Sequence, residues 1–266
     1  MNKNLLILAT LVLAMLPFTS WSQTEPTAEP SGNNMVKFNV LPLLGGKFAF
    51  EYERSITDRI SAGAAISFRP EKKLPFQSTV QDFVDDEDLN KLISDFKSSN
   101  FSITPEVRFY LSKRGLFRGF YMAPYVKYAN YKASVPFDFD VAVEESGTEI
   151  FSRTETIPLE GTINSFTGGF SLGFNFKLSR QLHLDWRLIG PGYGSANGKA
   201  SGTMVLNPDE QQALRESMED LKTDLGDLPL GGIKMEYDIH ENGTDIHIKR
   251  SPWAGIRTGL SIGYRF

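Results

Sequence analysis

Cysteine is absent from all 266 residues, and there are only three histidines, His183, His240 and His247. Without cysteine the chain has no disulfide scaffold, no thiol nucleophile and no cysteine-based metal site. Long apolar runs are missing too: no stretch approaches the roughly 20 residues that a membrane-spanning helix needs. If such a chain crosses a bilayer, it must do so as a closed barrel, because backbone groups in lipid need internal partners. The net charge is a mild -4 with no basic run, so no nucleic-acid partner is expected.

The longest apolar run, Leu5 to Leu16, is too short to cross a hydrocarbon core of about 30 Å as a helix. Lys3 precedes it, Pro17 breaks it, and Ser20-Trp21-Ser22 places small residues where a leader peptidase reads them. Residues 1–22 are therefore predicted to be a signal peptide, with the cut before Gln23. Residues 23–34 are rich in Pro, Ser, Thr and Glu and are expected to be a disordered periplasmic leader. The remainder, 35–266, is expected to form one domain.

What that domain does contain is a period of two. In Trp253 to Phe266, Ala254, Ile256, Leu260, Ile262, Tyr264 and Phe266 alternate with Gly255, Arg257, Gly259, Ser261, Gly263 and Arg265. Seven earlier segments alternate in the same way: Met35 to Leu44, Lys47 to Glu53, Ile60 to Phe68, Phe101 to Leu111, a segment from Phe120, Phe166 to Leu178, and Leu182 to Ile189. The apolar register carries no charge in any of them. The alternate register holds Lys47, Glu51, Glu106, Arg108, Lys127, Asp185, Arg187 and Arg257. A soluble barrel or sandwich would put its charges outside; here the pattern is inverted, as a lipid-facing barrel requires. The predicted fold is all-β: a closed antiparallel eight-stranded transmembrane barrel. Its extracellular loops are long and carry two short helices and a hairpin. The eight charged residues should form a polar network inside the barrel, within which Glu51, Glu106, Arg108, Asp185, Arg187 and Arg257 should be ion-paired. The aromatic end at Tyr264 and Phe266 resembles the closing strand of Gram-negative outer-membrane barrels, which implies that these two residues act as an assembly signal.

Link lengths fit this topology. The turns at 54–59, 112–119 and 179–181 are short, whereas 69–100, 132–165 and 190–252 are long. Short periplasmic turns and long outer loops are the pattern of such barrels. Pro105 and Pro124 fall inside strands, and bulges are expected there because proline lacks the ladder donor. One loop carries the acidic run Asp85 to Asp88, with Leu89, Leu92, Ile93 and Phe96 at helical spacing. Another carries Leu214, Met218, Leu221 and Leu225 at the same spacing. Both helices should lie over the barrel mouth.

Lys234 to Lys249 is expected to be a hairpin about Asn242-Gly243. Pairing there would set Glu236 opposite Lys249, Asp238 opposite His247 and His240 opposite Asp245. Asp238, His240, Asp245 and His247 could ligate a metal, but cross-strand charge pairs on a solvated face are the plainer reading. A hydrolase would need His183 oriented by Asp185 with a hydroxyl such as Ser171 nearby. Residues 183 and 185 of one strand stand about 7 Å apart, and no nucleophile motif surrounds any serine.

The stretch VKFNVLPLLGGKFAFEYERSITDRISAGAAISF, from Val36, resembles the start of a family of Gram-negative outer-membrane barrels known chiefly as a domain of unknown function. The features are Lys and Asn in the first strand, the Gly turn, the aromatic-Glu-Tyr-Glu-Arg end of the second strand and the Asp-Arg turn. The resemblance spans the barrel strands, about half the chain. It implies an architecture of OmpA/OmpX type and brings no catalytic residues with it.

The expectation is a monomeric outer-membrane protein with a plugged polar interior, no cofactor, and a structural or surface-interaction role. Its partners would be outer-membrane lipids, the barrel assembly machinery and an extracellular protein or surface ligand. An envelope-modifying enzyme, a narrow pore and a soluble exported barrel are the alternatives.

Overall fold

The computed structural model describes residues 32–73, 75, 77, 94–145, 148–227 and 232–266, with 143–145 and 148–151 described by their backbone alone. The expected signal peptide and all but the last three residues of the expected leader lie outside the described residues. So does the acidic run with most of its helix.

Among the described residues, nine strands and one long helix follow in order. They are β1 (Asn34–Asn39), β2 (Phe48–Ser55), β3 (Ile60–Lys73), β4 (Lys97–Tyr110), β5 (Gly119–Glu145), β6 (Thr148–Lys177), β7 (Leu182–Thr203), α1 (Pro208–Gly226), β8 (Met235–His240) and β9 (Gly243–Arg265). Each strand pairs antiparallel with its neighbour from β1 to β7. β9 pairs with β7 and then with β1, from Met35↔Arg265 to Asn39↔Ser261, so eight strands close a ring. β8 joins only β9. Closure leaves no exposed ladder around the ring. No helix in the described residues is long and apolar enough to cross a membrane.

The alternation in the sequence becomes two faces. On β4, Ser102, Thr104, Glu106, Arg108 and Tyr110 are buried, while Phe101, Ile103 and Val107 are exposed. The same inversion holds on β2, where Glu51 and Glu53 are buried and Phe48, Phe50 and Tyr52 are exposed.

Several expected boundaries change. β1 ends at Asn39, and Leu41–Gly45 forms a single 3-10 turn closed by Gly46 at φ 69°. Pro42 near the start of that turn cannot donate to a ladder, which ends the strand early. The bulges expected at Pro105 and Pro124 are absent. The β4–β5 ladder keeps one register through Ile103↔Tyr128, Glu106↔Tyr125 and Phe109↔Met122. Both prolines lie on this one seam, so their missing donors open a gap in the ladder and no residue is inserted.

The largest difference lies in the outer links. The link 132–165 continues to alternate through Val135, Phe137, Phe139, Val141 and Val143, which implies that it carries its two strands outward as a hairpin, and it does. Residues 190–203 and 243–252, expected within the last outer loop, are strand as well. β5 and β6 pair out to Glu145↔Thr148, and β7 with β9 out to Thr203↔Gly243. Four neighbouring strands thus rise beyond the ring as a curved wall. Its inner face continues the inward register but becomes apolar. Phe139, Val141, Ile157, Leu159 and Ile246 pack with Leu214 and Met218 of α1 and with Met235 and Ile239 of β8. α1 therefore buries its apolar stripe against the inner face of the wall and against β8. Small residues on β7 make room: a Cβ on Gly202 would come within 2.8 Å of Ile157.

α1 starts at a capping box. Asn207 Oδ1 accepts from the Glu210 amide at 2.9 Å, and Glu210 Oε2 accepts from the Asn207 amide at 2.8 Å. Arg153 on β6 also pairs with Glu210, tying the cap to the wall. On the solvent side of α1, hydrogen bonds from Lys222 and Tyr237 hold the Glu219 carboxyl below its usual range. Asn207→Ala should cost about 1 kcal/mol and fray the first turn of α1, read as faster amide exchange at residues 209–211. Unchanged exchange there would contradict the capping role.

Candidate functional site

The inward register of β1, β2, β4, β7 and β9 converges on one charged layer inside the ring. Four cations, Lys37, Arg108, Arg187 and Arg257, face four carboxylates, Glu51, Glu53, Glu106 and Asp185. The layer is formally neutral. Lys37 Nζ reaches Glu51 at 3.1 Å, Asp185 at 2.6 Å, and Glu53. Arg108 pairs with Glu51 and Asp185 and, through Nε at 2.6 Å, with Glu106. Arg187 bridges Glu51 at 2.9 Å and Glu106 at 3.0 Å, and Arg257 reaches Glu106 at 3.0 Å. Tyrosines complete the shell. Tyr110 donates to Glu53 and Tyr121 to Asp185, each at 2.7 Å. The guanidiniums of Arg108 and Arg257 lie 4.4 and 4.3 Å from the ring centres of Tyr121 and Tyr125. Desolvating so many charges is tolerable only because each has an opposite partner and hydrogen bonds.

Of the expected network, the structure brings together Glu51, Glu106, Arg108, Asp185, Arg187 and Arg257. These are the six residues expected to be ion-paired; Lys47 and Lys127, expected in the polar interior but not among the ion pairs, stand apart from the layer. These half-buried lysines line a separate cavity of about 200 Å³ above the layer, and neither forms an ion pair among the described residues. The reason is height along the strand: Lys47 stands four residues before Glu51, just ahead of β2, and Lys127 stands two residues along β5 from Tyr125, the partner of Glu106, so both rise above the layer. Lys37 and Glu53 also join the layer; the alternation places both in the inward register, but the expected network does not include them.

Below the layer the ring is closed by an apolar plug. Phe117, from the β4–β5 turn, is fully buried with Met35, Tyr110, Tyr121 and Ala123. Its φ of 57° is rare for a residue with a side chain, and tucking the ring upward holds it there. The Arg265 guanidinium covers the ring at 5.1 Å.

The hydrolase constellation does not assemble. His183 Nδ1 lies 2.9 Å from Asn175 Oδ1, and Asp185 is taken by Lys37, Arg108 and Tyr121. Ser171 is buried, and its Oγ has no partner among the described residues. Glu51, Glu53 and Asp185 are close enough to share a metal ion, but the Lys37 ammonium already occupies the position between them.

The outer hairpin closes two residues out of the expected register. Glu236 faces His247, Asp238 faces Asp245, and His240 faces Gly243. Glu241-Asn242 is the turn. Gly243 (φ 135°) instead presses onto β7, where a Cβ would meet the Gly202 carbonyl oxygen at 1.9 Å. Asp238, His240, Asp245 and His247 therefore do not converge as expected. What remains are diagonal pairs, Lys249 with Glu236 and His240 with Asp245 at 3.7 Å. Asp245 and His247 border an open polar cleft of about 1140 Å³ that Lys132 and Lys199 also line.

The family model described as a protein of unknown function (DUF3575) matches residues 9–203. The chain belongs to this family. The match includes β1 to β7 and all of the charged layer except Arg257, and it stops before α1, β8 and β9. No curated protein matches. Among solved structures, a major outer membrane protein from Thermus thermophilus is similar at 11% identity and TM-score 0.40, covering 88% of this chain and 98% of that one. The N-terminal β-barrel domain of Pseudomonas aeruginosa OprF is similar at 9% identity and TM-score 0.25, with the same coverage of 88% and 98%.

Proposed function

We propose that this DUF3575 chain is an integral barrel of the outer membrane, of the small OmpA/OmpX architecture, with a structural or surface-interaction role. One observation carries the reading: the ring is inside out. Phe50, Phe170 and Trp186 are about half exposed, at 50%, 49% and 48%, while Glu53 and Arg108 are 1% exposed. An apolar outer wall around a neutral charged interior is stable when lipid, not water, is outside. Eight strands enclose a narrow interior, and here the charged layer and the Phe117 plug lie across it below the cavity. The reading therefore favours a plugged barrel over a pore.

The wall, α1 and β8 form the part that would stand in water outside the cell. There the ordinary pattern returns, with an apolar core within and charge outside. That end is the surface available to an extracellular protein or surface ligand. Tyr264 and Phe266, stacked at 6.5 Å on the outward face beside β1, are the proposed feature read by the assembly machinery. The barrel is proposed to act as a monomer surrounded by outer-membrane lipids.

Fractionation of cells expressing the full chain tests the reading. The protein should stay in the membrane pellet through high-salt and carbonate washes and leave it only in detergent. Recovery in the soluble periplasm without detergent would overturn it.

A further inference from the structure

The charged layer is neutral, and the two charges just above it are not neutralised. Lys47 and Lys127 face one cavity of about 200 Å³ inside the ring, with no ion pair to either among the described residues. Ser102 and Thr104 put hydroxyls on its wall. Arg187 and Arg257 border it from below, and Arg257 Nη1 and Arg187 Nε are buried with no hydrogen-bond partner among the described residues. Glu51 also borders the cavity, but Lys37, Arg108 and Arg187 already hold it.

We propose that this cavity is an anion-binding site for a phosphate dianion, free or as a small phosphate monoester. The donors come from ammonium, guanidinium and hydroxyl groups, and the only acid on the described wall is already paired. Two uncompensated ammoniums in a half-buried, low-dielectric pocket repel each other. A dianion cancels both charges, where a monocarboxylate would cancel only one. Several acceptor oxygens on one centre also suit donors that approach from different strands, with the guanidinium edges free to give charge-assisted bonds. The inference concerns the lumen and does not depend on where the barrel resides.

Calorimetric titration of the full chain, folded in detergent, tests it with inorganic phosphate and with glycerol 3-phosphate. Wild type should bind at least one of them. A free-phosphate site favours the former and a monoester site the latter. Binding by the double variant K47Q/K127Q should be weaker by at least about tenfold, or about 1.4 kcal/mol, because both ammoniums that would face the dianion are gone. Without phosphate that variant should unfold at the same or a higher temperature than wild type, because the repulsion is gone. K132Q, in the outer cleft, should bind like wild type. Absence of binding by wild type to both probes, or equal binding by the double variant, would overturn the proposal. If the double variant fails to fold, Lys127→Gln alone serves, and binding undiminished in it would be equally decisive.

Discussion

Arg108→Ala should destabilise the barrel by about 3–5 kcal/mol, the usual cost of removing one partner from a buried ion pair. Arg108 sits at the centre of the layer, bonded to Glu51, Glu106 and Asp185, and it lies over the Tyr121 ring. Its loss leaves four buried carboxylates facing three cations. No neighbour can take its place, since Lys37 is already spread over three carboxylates. Arg108→Lys keeps the charge but loses the planar fork that reaches several acceptors at once, so it should fall between the two. Urea unfolding in micelles, followed by tryptophan fluorescence, measures the order. A loss below about 1 kcal/mol for Arg108→Ala, the level of an exposed pair, would show that the layer does not hold the barrel together.

Leu214→Ala should cost about 2–5 kcal/mol, as large-to-small changes at buried sites do, but the loss should be confined to the upper end. Leu214 and Met218 are fully buried between α1, the β5–β6 wall and β8. This apolar cluster is separate from the charged layer and from the Phe117 plug. Distinct clusters open as distinct units. Amide exchange should therefore quicken along α1, β8 and the upper halves of β5, β6 and β7, while β1 to β4 keep their protection. Uniform loss of protection around the whole ring would show that wall and barrel form a single cooperative unit.

The inward and outward sets were legible because a strand turns over every residue, so parity alone sorts Glu106 and Arg108 from Phe101 and Val107. Parity says nothing of height. Lys47, Lys127 and Arg257 share one register, yet only Arg257 joins the layer, because the stagger of neighbouring strands sets which rows meet. The β7 side of the upper wall was hidden for a different reason. In β7 the inward residues include Gly190, Gly192, Gly194, Gly198 and Gly202. Such a run gives no hydrophobic alternation and reads as loop. Its glycines exist to admit the side chains of β5 and β6, and those contacts lie far away along the chain.

By itself, then, the sequence determined the period of two, the charge-free outer register, the long and short ends, and the apolar stripe of α1. Each of these follows from neighbours along the chain. The tertiary structure alone decided the four-to-four balance of the charged layer, the plug made by Phe117, the reach of β7 and β9 beyond the ring, and the register of the outer hairpin. Those depend on which strands stand side by side and at what stagger. Gly243 shows the difference: its place beside Asn242 suggested a turn, but its contact with Gly202, on another strand, made it part of the wall.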